Sequence, residues 1–364
     1  MPLRWVLEPQ PMVVAVDNTS FGTKGILHMA TVHYLDAYAT FHDLLYVATQ
    51  LDDVDPRQLA HVRICSYDCQ NATWYSHDVN MNVISTCRKI GHVDDTDEGG
   101  RGISLSIEGE VDIFDSQDYV WRTEKIPDAG MRLGTRGRMS HIRQIGAHLF
   151  ACGHNGQVYQ RMGTDNWRAI DKGVYQAVDY GGGGDIESRA DALLDAIMNK
   201  RILNCIDGNS ERDMYVVGDF GYMAHYDGTT WSQVELKTDE HLQWIRCYGP
   251  NEVWACGYNG TLLKGSASAG FRDVSSIDDN DTWWCLTKYG EDIYLSATPG
   301  LFRFGSASGK IMRVATGLKP EHEDTYRVDA KDGALWSIGE KDIARLYEGR
   351  RERIHHIDNP RIGE

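Results

Sequence analysis

The chain has 364 residues, 41% hydrophobic and 25% charged, an ordinary globular balance with length enough for two medium domains or one large closed architecture. Its 53 acidic residues against 37 basic ones leave a formal charge of −16, which argues against a surface built to hold nucleic-acid phosphates. No apolar run reaches the roughly eighteen residues of a membrane helix. The opening Met1-Pro2-Leu3-Arg4-Trp5 lacks the basic-then-apolar build of a signal peptide, so the expected location is the cytoplasm.

In chain order, 12–16 reads as a lone strand of Val and Ala. Residues 31–35, 44–48, 61–65 and 73–76 form a first group of four short strands, rich in β-branched and aromatic residues and divided by turn signals. Residues 82–86, 102–107, 111–114 and 120–123 form a second. Between its first two strands lies the acidic stretch 92–101. Counted as a calcium loop from Asp95, this stretch puts Ser106 where a bidentate Glu is required, so it reads as a solvated loop.

From residue 141 onward a repeat is plain. The phrase Ala151-Cys152-Gly153-His154-Asn155-Gly156 recurs as Val217-Gly218-Asp219-Phe220-Gly221 and as Ala255-Cys256-Gly257-Tyr258-Asn259-Gly260, with looser copies ending at Gly300 and Asp342. The small residue before each turn stands at 153, 218, 257, 297 and 339, so after a first step of 65 the spacing is 39, 40 and 42. Four strands every forty-odd residues describe a propeller blade. The expected fold is all-β: residues 1–364 form a single propeller of four-stranded antiparallel blades, two from the N-terminal half and five from the rest. That makes seven, with six or eight left open. The lone strand 12–16 would close the ring by pairing near Arg353 and Ile354. The long first step holds an insertion, 171–200, between blades 3 and 4. Its Gly181–Gly184 run followed by Ala and Leu at helical spacing over 186–198 predicts a hinge and a short helix, either a lid or a cap on the ring.

The small-x-x-Gly turn, an apolar strand and then Asp227-Gly228-Thr229-Thr230-Trp231 resemble the Asp-box, or bacterial-neuraminidase, repeat and the similar units of photosystem-assembly-factor-like propellers. The resemblance spans about 141–358, with Asp165-Asn166-Trp167 a shortened echo. It implies a structural turn between outer strands and the propeller fold.

The eight cysteines are expected to be reduced. Cys152 and Cys256 occupy equivalent strand positions, and Cys65-x-x-x-Cys69 has no second ligand pair for zinc, so neither metal nor cofactor is expected. Catalytic motifs are missing too. Arg143, Arg201, Arg246 and Arg327 fall on expected inner strands near Tyr248 and Asp207, a set that a sugar-active hydrolase or lyase could use in a central pocket; the alternative is simple pairing with channel carboxylates such as Asp329.

In a propeller the D-to-A connections and the B–C turns share one face. On it fall Asp52 and Asp53, His154, Asp219, Asp239 and Glu240, Asp278, Asp279 and Asp281, and Glu321 and Glu323, with Phe220 and Tyr258 as aromatic anchors. Convergent negative charge speeds encounter with a cationic partner. The expected function is non-catalytic binding of a basic protein, with a toxin-neutralising immunity protein as one setting. A glycoside-active enzyme and an assembly factor or scaffold are the alternatives, and the bland reading of the acidic loops is solubility.

Overall fold

A tight hairpin between twisted strands needs positive φ at both central residues. The repeat supplies it at Asn155-Gly156 (59° and 73°), Phe220-Gly221 (55° and 65°) and Asn259-Gly260 (49° and 70°). The small residue just before each turn has a separate cause. A Cβ on Gly218 would stand 1.9 Å from the Ile202 carbonyl oxygen, and one on Gly257 2.0 Å from that of His241. The second strands ending at Gly218 and Gly257 therefore press backbone to backbone against the starts of their own inner strands.

The computed structural model describes residues 31–90, 100–115, 120–132, 134–177, 200–276 and 280–363. The expected strand 12–16, the acidic loop apart from its last two residues, and the helix over 186–198 lie outside them. Blade 1 comprises β1 (Val32–Phe41), β2 (Leu44–Leu51), β3 (Val62–Asp68) and β4 (Thr73–Val79). Blade 2 comprises β5 (Val83–Ile90), β6 (Gly100–Ser106), β7 (Glu110–Asp115) and β8 (Val120–Lys125). Blade 3 comprises β9 (Met139–Ile145), β10 (His148–Gly153), β11 (Val158–Gly163) and β12 (Asn166–Ala169), and blade 4 β13 (Leu203–Ser210), β14 (Asp213–Gly218), β15 (Met223–Tyr226) and β16 (Trp231–Gln233). Blade 5 comprises β17 (Leu242–Cys247), β18 (Val253–Gly257), β19 (Leu262–Ser266) and β20 (Gly270–Asp273). Blade 6 comprises β21 (Cys285–Tyr289), β22 (Asp292–Ala297), β23 (Gly300–Gly305) and β24 (Lys310–Arg313). Blade 7 comprises β25 (Thr325–Lys331), β26 (Ala334–Gly339), β27 (Ile343–Tyr347) and β28 (Arg350–Ile354).

Each blade is a separate four-stranded sheet whose strands pair in sequence order, antiparallel throughout. Each inner strand packs beside the next inner strand around the ring, and β25 returns to β1. The architecture is a seven-bladed propeller, with no helix among the described residues.

The core lies between blades. Leu45, Val47 and Trp336 cluster across blades 1 and 7, Ile103, Leu149 and Tyr159 across blades 2 and 3, and Tyr215, Trp254, Trp283 and Leu335 through blades 4 to 7. The inner strands of blades 1, 2, 4, 5 and 7 each skip one residue in register near their start, at Leu35, Ile84, Asn204, Gln243 and Tyr326. A bulge re-aims the side chains that follow it. Here those side chains include Asp36, Trp244 and Arg327, which line the central channel.

Candidate functional site

The B–C turns and the D-to-A connections do share a face, and backbone hydrogen bonds knit them together. The turn glycines donate outward, Gly156 to the Arg201 carbonyl (3.1 Å), Gly221 to Glu240 (2.9 Å) and Gly260 to Asp281 (2.6 Å). Each turn is thus fixed to the connection leaving its own blade.

On blades 4 to 6 this arrangement builds a row of rings. Phe220 lies 4.7 Å from His241, His241 5.1 Å from Tyr258, and Tyr258 6.0 Å from Trp284. Phe220 is 66% exposed, and Tyr258 is exposed beside it. Phe220 also occupies the left-handed position that Asn fills in the neighbouring turns, a conformation that costs a bulky side chain without local polar compensation. Carboxylates border the row: Asp219 pairs with His241 (3.0 Å) and accepts from Asn204 Nδ2 (2.9 Å), and Glu240 accepts from Asn259 Nδ2 (2.8 Å). Asp239 is exposed and Asp281 half-buried nearby, while Asp278 and Asp279 lie outside the described residues.

The other candidates stand elsewhere on the face or are used internally. Asp52 binds Lys341, Thr31 and His33; burial pushes its carboxyl up, but those hydrogen bonds outweigh burial and bring it to about 2. Asp53 beside it is exposed. His154 is not a surface residue, as its ring is buried and Nε2 accepts from Arg138 Nε at 2.7 Å. Burial first, then the charges of Arg138 and Lys200, push it down to about 3. Glu321 folds back to cap its own turn, accepting from Thr316 N (2.8 Å) and Gly317 N (3.3 Å). Glu323 pairs with Arg313 at 2.9 Å in the open.

The residues that a sugar-active site would draw on are largely paired. Arg143 bonds Asp207 at 3.0 Å, Arg327 pairs with Asp36, and Arg201 donates to the Val174 carbonyl (2.7 Å) while stacking on Tyr222. Tyr248 accepts from Lys288 N at 2.7 Å. Asp227 forms the turn between the two outer strands of blade 4, accepting from Thr229 N (2.8 Å) and Thr230 N (2.9 Å).

Sequence reasoning missed His241 and Trp284. A signal for Trp284 exists in the doublet Trp283-Trp284, because consecutive strand side chains point to opposite sides and only one of the two can enter the core. Trp283 is the buried one. Leu59 and Met131, exposed at 55% and 63%, add apolar surface on connections of the same face.

Comparison with known proteins gives a relative in sequence. The chain is similar to an immune protein. It is 28% identical over 306 residues to the immune protein Tsi7 of Pseudomonas aeruginosa, a match spanning 83% of this chain and 90% of Tsi7. No family model matches the chain. Among solved structures it resembles the WD40 β-propeller domain of Doa1 (TM-score 0.58, 9% identity, 88% of this chain and 94% of that one). It also resembles YCF48 bound to a D1 peptide (0.57, 12%, 90% and 94%) and virginiamycin B lyase of Staphylococcus aureus (0.52, 9%, 75% and 84%). At such identities the structural likeness speaks to the propeller fold alone.

Proposed function

We propose that the chain is a toxin-neutralising immunity protein: a non-catalytic, cytoplasmic propeller that grips a basic protein partner through the loop-rich face of blades 4 to 6. The observation that carries this reading is the row Phe220, His241, Tyr258 and Trp284, with Phe220 and Tyr258 exposed and His241 and Trp284 half-buried between and beside them, framed by Asp219, Asp239 and Glu240. Interface energy concentrates in aromatic anchors, and the surrounding charge sets encounter rate and partner choice. The similarity to Tsi7 over most of both chains supports the immunity setting. Eight unpaired thiols support a reducing compartment. The Asp-box kinship suggested by Asp227 to Trp231 enters only as a structural turn.

The test begins with capture of the partner from the source organism, followed by expression of that partner alone and with this chain. The expected result is a partner that arrests growth alone and is neutralised by the wild-type chain, with neutralisation lost in the Phe220→Ala/Tyr258→Ala double variant. Reversal of Asp219, Asp239 and Glu240 to Lys is expected to slow association several-fold at low salt and much less at high salt. A partner neutralised equally well by all variants would overturn the reading.

A further inference from the structure

The bulged inner strands deliver an unusual set of charges to the ring's axis. A cavity of about 300 Å³ is lined there by Arg88, Arg143, Arg246, Arg327 and Lys331, with Asp36 and Asp329 as the lining carboxylates. In a chain of net charge −16, this lining is predominantly cationic.

Both carboxylates already accept hydrogen bonds. Asp36 accepts from Thr86 N (2.5 Å), Thr86 Oγ1 (3.1 Å) and Arg327 Nε, and Asp329 accepts from Ala39 N (2.9 Å) and Ala330 N (3.0 Å). Asp207, just behind, takes Arg143 Nε (3.0 Å) and Cys247 N (3.0 Å).

Arg246 keeps an unused donor. It is only 5% exposed; its Nη1 is buried without a hydrogen-bond partner, its guanidinium lies 4.8 Å from the Trp244 ring, and, against the effect of burial, the charges of Asp207 and Asp329 favour its protonated form. Nor is it alone, since Arg88 Nε, Trp244 Nε1 and the Tyr38 hydroxyl, all on residues lining the same cavity, are buried without partners. The surplus is therefore of donors. His141, which also lines the cavity, registers the same field: burial first, then Arg327, Arg246 and Arg143, hold its ring well below the ordinary histidine range. A buried guanidinium N–H without a partner is costly, and the group that satisfies it best is an acceptor carrying negative charge.

We propose that the central channel binds a small oxyanion, phosphate- or carboxylate-bearing, held by Arg246 with Arg143 and Arg88. The volume sits at the lower edge of small-molecule pockets, which suits a metabolite-sized ligand and excludes a polymer. Arg88, Gln144 and Lys331 lie toward the C-terminal ends of their inner strands, so the site opens toward the face opposite Phe220. It neither requires nor blocks docking on the loop-rich face, and the two readings stand or fall separately. Contacts from blades 1, 2, 3, 5 and 7 converge on one ligand, which would staple the ring.

The experiment titrates inorganic phosphate, and separately citrate, into the full chain by calorimetry at constant ionic strength against chloride, with melting temperature as a second readout. Saturable binding of at least one of the two is expected, and the better arm identifies the phosphate or carboxylate source. Arg246→Gln is expected to weaken it at least tenfold. If that variant fails to fold, Arg88→Gln at the channel mouth is expected to weaken binding several-fold. Only a non-saturable rise in melting temperature, or binding undiminished in the variant that folds, would overturn the site, because phosphate and citrate stabilise proteins generally by exclusion from their surface.

Discussion

Phe220 holds a φ of 55° where Asn155 and Asn259 hold 59° and 49° in the matching turns. Asparagine tolerates that region through local hydrogen bonding, whereas other L-residues give up about 1–2 kcal/mol there. The aromatic ring recovers little, being two-thirds exposed with His241 as its ring neighbour. Phe220→Asn is therefore expected to stabilise the fold by about 1 kcal/mol in urea unfolding while weakening partner binding at least tenfold. Loss of stability would instead mean that the ring serves the fold and not a partner.

At the scale of one blade, the hinge of the repeat is the small residue ending the second strand. Gly257→Ala would place a methyl 2.0 Å from the His241 carbonyl oxygen, which sits on backbone that cannot yield without breaking the register of β17 and β18. A cost of about 3 kcal/mol is expected by chemical denaturation. Gly249→Ala, with no atom within 4 Å of the added methyl, is the matched control and should change stability little. Such glycines are also why the blades were legible in the sequence. Turn, close approach and strand alternation are all satisfied within a few residues, so they leave a local trace at 153, 218, 257 and 339. Less of the site was legible. Nothing local in the acidic connections separates Asp239, which faces water, from Glu321, which is spent on the amides of its own turn, and nothing in the turn phrase marks His154 as buried. The channel pairs Arg327–Asp36 and Arg143–Asp207 join residues 291 and 64 positions apart, the first brought together by closure of the ring and the second by the packing of neighbouring blades.

A C-terminal segment laid across blade 1 adds to the contacts between blades 7 and 1 that close the ring. Asn359 Oδ1 accepts from Val32 N (2.9 Å), the His355 carbonyl from Trp74 Nε1 (2.9 Å), and the His356 ring packs 4.5 Å from Trp74 with Nε2 3.7 Å from Cys65 Sγ. His356 is buried; burial first, and then the charge of Arg63, push it down to about 4. In the unfolded chain a histidine titrates near 6.5, so between pH 6.5 and 4 the unfolded state binds a proton that the native state refuses. Stability from this group is complete above pH 6.5 and is lost as pH falls through that window, at about 1.4 kcal/mol per pH unit. Asp358, whose carboxyl burial raises, acts in the opposite direction near pH 4, which leaves pH 5 to 6.5 as the interval where histidine dominates. His154, at about 3, and His141, also held well below the ordinary range, contribute similar slopes over the same interval. Urea midpoints measured across pH 5 to 7.5 should therefore fall on acidification in the wild type. His356→Gln should remove about 1.4 kcal/mol per pH unit of that dependence while the slopes from His154 and His141 persist. Parallel slopes in the two proteins would mean that His356 is not held neutral against blade 1.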